Sequence, residues 1–224
     1  MMETQGPISF SAWSMARILA RAKTNTRRPI KDAIVRDNVL GKEWSAAIVE
    51  RDGDIWLAKL AGKNPFVWEF RSPYRVGDLR WCREPWRVEA SQDSYSPSEF
   101  DQHYPVDYRA PSDGWMHSAF AGRWRSGRYM PRWASRAVVE IDGVRAERVQ
   151  GIGFDDVLAE GVQIGYTQYN GKPFNEIDCS LSPLAWRDDF RHIWASHYGH
   201  KSPYRWELNC WVWVYGFRLV ESAL

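Results

Sequence analysis

The sequence has few cysteines and no long apolar run, and both deficits exclude classes of protein. The three cysteines are Cys82, Cys179 and Cys210. Their odd number and wide separation argue against a disulfide framework. No apolar stretch approaches the roughly 18 residues that would suggest a membrane span, and the N-terminus lacks the basic-then-apolar pattern of a signal peptide. We therefore expect a cytoplasmic protein with reduced thiols and no membrane partner.

The sequence signatures of common cofactor sites are also missing. There is no Gly-rich phosphate loop, no dinucleotide fingerprint, no exposed-serine nucleophile elbow and no Cys-x-x-Cys pair. The spacing of the five histidines matches no zinc pattern; they are His103, His117, His192, His197 and His200. We expect neither a cofactor nor a metal.

Tryptophan, in contrast, is abundant, with 14 residues among 224. Its indole ring serves equally as core filler and as a flat platform for planar ligands such as nucleobases. The formal net charge is only +2, which gives a mild bias toward polyanions. The arginines are nevertheless clustered at 21–28 and at 123–136. The clusters indicate either two local basic patches or solvated surface side chains.

Periodicity predicts a mixture of short strands and helices. A strand at Ile8–Phe10 precedes a helix that ends near Lys23, and Thr24–Arg28 favours extended structure before Pro29. Three strand candidates at 48–49, 55–57 and 66–68 fit a β-meander. Further predictions are a turn at 73–78, a strand at 79–86, a hairpin of 137–141 and 144–149 around Asp142-Gly143, helices at 154–162 and 183–196, and a strand at 210–219.

The segment at about 89–130 is rich in Ser, Asp, Pro, Tyr and Gly and has little periodicity. It is too long to be a simple connection within a compact domain. We interpret it as a lid or a variable insertion in a single domain that spans 1–224.

Six segments, taken in order, resemble phage and prophage proteins that carry an ASCH domain. The matching segments are Pro7–Ser11 with Met15–Arg17, Lys23–Arg28, Gly77–Asp78 with Trp81–Trp86, Met130–Arg136, Ala159–Gly161 and Trp211–Val214. At Cys82 the family usually has an aliphatic residue instead. Each segment alone is weakly specific, whereas their order and spacing together are specific. The resemblance covers most of the chain apart from the middle.

The resemblance implies an α+β fold of the PUA-like superfamily, a small mixed β-barrel with flanking helices that binds RNA or modified bases. One bacterial branch of ASCH proteins is an amidohydrolase that acts on N4-acetylcytidine. That branch uses a lysine, a threonine three residues later and a more distant glutamate. In this sequence the pattern falls on Lys23, Thr26 and Glu160.

Those residue types fit amide hydrolysis, which needs a nucleophile, a proton carrier and oxyanion donors. Thr26 could attack, and Lys23 could act as its base if burial or the neighbouring Arg27 and Arg28 favour loss of its proton. Glu160 could orient the lysine or protonate the departing amine, although Glu84 could take the carboxylate role instead. Because side chains alternate along a strand, Lys23 and Thr26 can cooperate only if Lys23 still lies on the helical turn.

For the substrate we expect a modified nucleoside or a single-stranded nucleic acid. Candidate binding residues are Arg28, Glu84, Trp86, Arg132 and Trp133, because interleaved arginine and aromatic side chains suit phosphates and bases. The alternative is a non-catalytic module of phage origin that binds RNA or modified bases through the same pocket. The structural alternatives are an ion pair for Glu84, an exposed helical position for Glu160 and a barrel wall built of tryptophans. The oligomeric state stays open.

Overall fold

The computed structural model describes residues 5–31, 46–53, 55–60, 67–110, 120–162, 185–199 and 203–222. Two compact units are formed from interleaved segments of the chain. The first unit comprises 1–24, 76–142 and 217–224, and the second comprises 25–75 and 143–216. The prediction of a single domain is not tested by this division.

A five-stranded mixed sheet is formed by β1 (Pro7–Ser9), β2 (Asn25–Pro29), β6 (Leu79–Arg83), β9 (Ala137–Arg148) and β10 (Trp211–Ser222). The order of these strands across the sheet is β1-β6-β9-β10-β2. The β1 and β6 pair is parallel, whereas β6 pairs with β9, and β2 with β10, in antiparallel fashion. Strands β1 and β2 are the edges of this sheet, so the described strands form no closed barrel.

The other described strands form two smaller sheets. The second unit contains an antiparallel meander of β3 (Ala46–Asp52), β4 (Ile55–Leu60) and β5 (Val67–Phe70), as the sequence predicted. In the first unit, β7 (Trp86–Arg87) pairs with β8 (Asp107–Tyr108). Strand β8 lies within the 89–130 segment, which therefore contributes structure of its own.

Three α-helices are described: α1 (Ala12–Leu19), α2 (Phe154–Ala159) and α3 (Ala185–Tyr198). Helix α1 begins at a serine cap, where the Ser11 hydroxyl accepts the Ser14 N–H at 3.2 Å. Helix α2 ends at Ala159 with Glu160 as its cap, and the next residue is the predicted terminator Gly161, which adopts a φ of 84° that L-residues disfavour. No described helix is both long and apolar enough to cross a membrane.

Two sequence predictions are wrong in detail. Helix α1 ends at Leu19 rather than near Lys23, because Arg21 adopts a φ of 55° and turns the chain. The predicted hairpin at 142–143 is absent, since β9 runs unbroken from Ala137 to Arg148. A Cβ built at Gly143 would lie 3.8 Å from the Gly216 Cα, an ordinary van der Waals contact, so this position of the strand does not require a glycine.

Aromatic side chains build the interior of each unit. In the second unit the Trp213 ring packs against Trp56 and Phe70, with centroids 5.0 and 5.4 Å away. In the first unit the Phe10 and Phe217 rings pack at 5.6 Å. Trp56 and Trp213 are thus structural, as expected from the burial habits of tryptophan. Cys82 and Cys210 are buried free thiols, and Cys179 lies outside the described residues.

Candidate functional site

Lys23 lies in the turn that follows α1. The Arg21 N–H donates to the Ile18 carbonyl at 2.9 Å and the Ala22 N–H to the Arg17 carbonyl at 2.8 Å, which is the Schellman pattern of a helix end. Lys23 follows directly, is only 4% exposed, and places its Nζ 6.0 Å from the centroid of the Trp13 ring. Lys23 therefore precedes the strand, and the alternation of side chains along β2 does not apply to it.

Thr26 lies on β2 in the second unit. The strand pairs with β10, and Thr26 stands opposite Tyr215. The threonine is 8% exposed and the neighbouring Arg27 is 4% exposed. The extended structure predicted for this segment is confirmed. Its physical basis is Pro29, which disfavours helical geometry at Arg28.

Arg27 is the centre of a cluster of charged side chains, which we call the Arg27 cluster. The cluster consists of Arg27, Arg145, Glu147, Asp156 and Glu160, all in the second unit. The Arg27 guanidinium donates to Glu147 Oε1 at 2.5 and 3.0 Å, to Asp156 Oδ2 at 2.8 Å and to Glu160 Oε1 at 3.3 Å. Two arginines face three carboxylates, so the cluster has a formal excess of one negative charge.

The position of Glu160 follows from the end of α2. Glu160 is the C-terminal cap residue of this helix and is 5% exposed. Its burial rules out the exposed helical carboxylate that the sequence left as an alternative. A carboxylate out of water needs a partner, and Arg27 provides one. Arg27 directly follows Thr26 on β2.

The arginines of the Arg27 cluster lower the pKa of Asp156. Burial acts to raise this pKa, but the hydrogen bonds and charges of Arg145 and Arg27 together bring it below the ordinary value of 3.8. The Asn25 side-chain amide also donates to Asp156 Oδ1 at 3.0 Å. The Asp156 carboxylate is thus held as an anion by donors in fixed positions.

Arg28 follows on the same strand and is half-buried, opposite Trp213. Its charge acts on Tyr198 of α3. Burial raises the pKa of that phenol, Arg28 opposes the rise, and Glu160 adds to it. Arg28 and Glu160 therefore both lie within electrostatic range of one tyrosine.

Glu84 lies in the first unit and forms a buried ion pair. Arg136 donates its Nε to Glu84 Oε1 at 2.8 Å and its Nη2 to Glu84 Oε2 at 3.0 Å. Glu84 is 1% exposed and Arg136 is 8% exposed. Burial raises the pKa of Glu84, and the hydrogen bond and charge of Arg136 act against that rise. The ion pair named as the structural alternative for Glu84 is confirmed, and a catalytic role is not needed to explain its burial.

The remaining predicted binding residues surround a hydrophobic cluster in the first unit. Trp86 is 0% exposed and lies in this cluster with Val88, Phe100 and Met130. Trp133 is half-buried against the same cluster, while Arg132 is exposed. A base could stack on Trp86 only if the cluster opened, whereas Arg132 is accessible as it stands.

The predicted site residues therefore divide between the units. Lys23, Glu84, Trp86, Arg132 and Trp133 belong to the first unit, and Thr26, Arg28 and Glu160 belong to the second. Within the second unit Glu160 contacts Arg27, the residue that follows Thr26 on β2, and neighbouring side chains of a strand point to opposite faces. Within the first unit the structure joins Trp86 and Trp133 through the hydrophobic cluster. The site assignments themselves stay predictions.

Sequence reasoning missed the other members of the Arg27 cluster, Arg145, Glu147 and Asp156. Alternating charges in 145–148 are a typical solvated pattern, and nothing in the sequence pairs them with β2. Among the described residues, no group of histidine, cysteine and carboxylate side chains is arranged to hold a metal ion.

Comparison with known proteins assigns no family. No family model and no curated protein matches the chain. Among solved structures, it is similar to protein EF3133 from Enterococcus faecalis V583, of family DUF984, with 7% identity and a TM-score of 0.43. The similarity covers 99% of this chain and 78% of that one. A likeness at this level carries no argument about function.

Proposed function

We propose that this chain is an ASCH-domain protein with a PUA-like fold that hydrolyses the N4-acyl amide of a modified cytidine or cytosine. One observation carries the proposal. The three residues that the family pattern selects, Lys23, Thr26 and Glu160, are 4%, 8% and 5% exposed. Lysine and glutamate are rarely so buried without a specific role or partner.

Thr26 is the proposed nucleophile. Its Oγ attacks the acyl carbon and loses its proton to a general base, the role that the family pattern assigns to Lys23, and the bond from the acyl carbon to N4 then breaks. The departing N4 takes up a proton and becomes the amino group of cytosine. Water hydrolyses the acyl ester on Thr26 and releases the carboxylic acid, so the threonine is regenerated.

Glu160 is the proposed carboxylate of the reaction. Its burial and its hydrogen bond to Arg27 favour a fixed carboxylate that serves in orientation or proton transfer. Glu84 is the weaker candidate, because both of its oxygens are already bound by Arg136. Lys23 belongs to the first unit, and its assignment as the base rests on the Lys-x-x-Thr spacing.

The test is chromatographic detection of cytidine released from N4-acetylcytidine and from longer N4-acyl cytidines. We expect turnover by the wild type and its loss in Lys23→Ala and Thr26→Val. The matched controls are Lys31→Ala and Thr24→Val, which change an exposed lysine and an exposed threonine nearby. Both controls should retain turnover. Removal of a general base costs roughly 100- to 10,000-fold in rate.

Absence of turnover in the wild type at high enzyme concentration would refute hydrolysis of these substrates. Equal losses in Lys23→Ala and Lys31→Ala would refute the role given to Lys23. The competing function is a non-catalytic module that binds RNA or modified bases. It predicts saturable binding of the same nucleosides without release of cytidine.

A further inference from the structure

The outer face of the small sheet in the first unit combines an exposed tryptophan with arginines. Strand β7 is flanked on one side by β8 and on the other by 121–125, because Trp86 pairs with Tyr108 and also bridges to Arg125. Side chains alternate between the faces of a sheet. Trp86 lies in the hydrophobic core, so its neighbour Arg87 belongs to the opposite face.

The contacts on that opposite face agree with this register. Arg87 stands across from Asp107 and donates its Nε to Asp107 Oδ2 at 2.7 Å. On its other side, the Arg87 guanidinium carbon lies 4.3 Å from the centroid of the Trp124 ring. The Arg109 guanidinium carbon lies 5.8 Å from the same centroid. We call these four residues, Arg87, Asp107, Arg109 and Trp124, the Trp124 face.

The Trp124 face is accessible and carries excess positive charge. Trp124 is 38% exposed, although the burial of a tryptophan is ordinarily favourable. Arg109 and the adjacent Arg123 are also exposed. The single acidic residue of the face, Asp107, is 3% exposed and is bound by Arg87. The charge that reaches solvent here is therefore that of the arginines.

The ring of Trp124 is also held in place. Arg87 is fixed by its ion pair with Asp107 and packs on the ring. The backbone next to Trp124 is fixed as well, because Asp93 accepts the Arg123 N–H at 2.9 Å and Trp86 O accepts the Arg125 N–H at 2.8 Å. A preorganised ring loses little entropy when a ligand stacks on it.

We propose that the Trp124 face binds single-stranded nucleic acid, with a base stacked on Trp124 and a phosphate contacted by Arg109. A flat aromatic ring among arginines on a sheet surface provides both interactions that single strands require. Double-stranded nucleic acid does not offer a free base face to the ring. The Trp124 face shares no residue with Lys23, Thr26 and Glu160, so the proposal uses other side chains than the proposed hydrolysis.

The experiment is fluorescence anisotropy of labelled U12 and dT12 strands, with a labelled hairpin duplex as the comparison. Trp124→Ala should weaken single-strand binding roughly 5- to 150-fold, the range typical of one lost base stack. Trp124→Phe should retain part of the affinity because it keeps a ring. Arg109→Ala should lower the slope of log affinity against log salt by roughly 0.7.

The matched control is Arg218→Ala, which removes an arginine of the same unit that is 66% exposed in its side chain and paired with Glu140. This variant should bind like the wild type. Equal weakening by Arg218→Ala and Arg109→Ala would overturn the proposal, since net charge alone would then explain binding. Absence of single-strand binding at low salt, or equal binding of the duplex, would overturn it too.

The same variants separate this proposal from the hydrolysis. Trp124→Ala should release cytidine from free N4-acetylcytidine at the rate of the wild type. Thermal unfolding of each variant checks that loss of binding is not loss of fold. The U12 and dT12 strands show whether a ribose hydroxyl contributes, because only U12 carries 2′-hydroxyls.

Discussion

Replacing Arg136 by methionine removes one half of a buried ion pair and leaves the other half inside the protein. Glu84 is 1% exposed, and both of its oxygens are bound by Arg136 at 2.8 and 3.0 Å. In the variant the carboxylate has lost these donors. Breaking a buried pair on one side typically costs 3–5 kcal/mol, so we expect Arg136→Met to lower the free energy of unfolding by about that amount at pH 7.

The pH dependence of this loss follows from the sign of the pKa shift. Burial already raises the pKa of Glu84 against the opposition of Arg136, and without Arg136 the rise is unopposed. When a carboxyl group has a raised pKa in the folded state, the free energy of unfolding of the protein falls as the pH rises through that pKa. The cost of Arg136→Met should therefore be smaller at pH 5 than at pH 7.5.

Urea unfolding measures these changes, and two further variants make the result decisive. The double variant Arg136→Met with Glu84→Gln should recover much of the loss, because it leaves no buried charge. Arg218→Met removes an arginine whose pair with Glu140 is solvent-exposed, and it should cost less than about 1 kcal/mol. A cost of Arg136→Met no larger than that of Arg218→Met would refute the reasoning.

Two other changes test the helix end and the Arg27 cluster. Arg21→Gly should stabilise the protein by roughly 0.5–1 kcal/mol in urea unfolding, because Arg21 has a φ of 55° that strains an L-residue. The control is Arg17→Gly, inside α1, which should destabilise the protein by about 1 kcal/mol. Asp156→Asn should lower the thermal unfolding temperature at pH 7, and the gap to the wild type should close as pH falls below the ordinary Asp value of 3.8. A carboxylate with a lowered pKa contributes stability that is lost as the pH falls from its ordinary value through its folded-state value, so a gap that does not narrow between pH 7 and pH 3 would contradict this role for Asp156.

The sequence by itself determined most of the local structure. Apolar periodicity located α2 and α3, alternation located the meander of β3 to β5, and Pro29 together with the preceding threonines indicated the extended segment of β2. Gly161 marked the end of α2 because its required φ favours glycine. These features depend on a few neighbouring residues, which a single sequence displays directly.

Only the tertiary structure decided which charges meet. Arg27 and Glu160 are 133 positions apart, and Arg136 and Glu84 are 52 apart; sequence spacing carries no sign of either pair. The hairpin predicted at Asp142-Gly143 was wrong for the same reason, since the pairing of β9 with its neighbours overrides a local turn preference. Long-range strand pairing brings these side chains together, and local propensity cannot encode it.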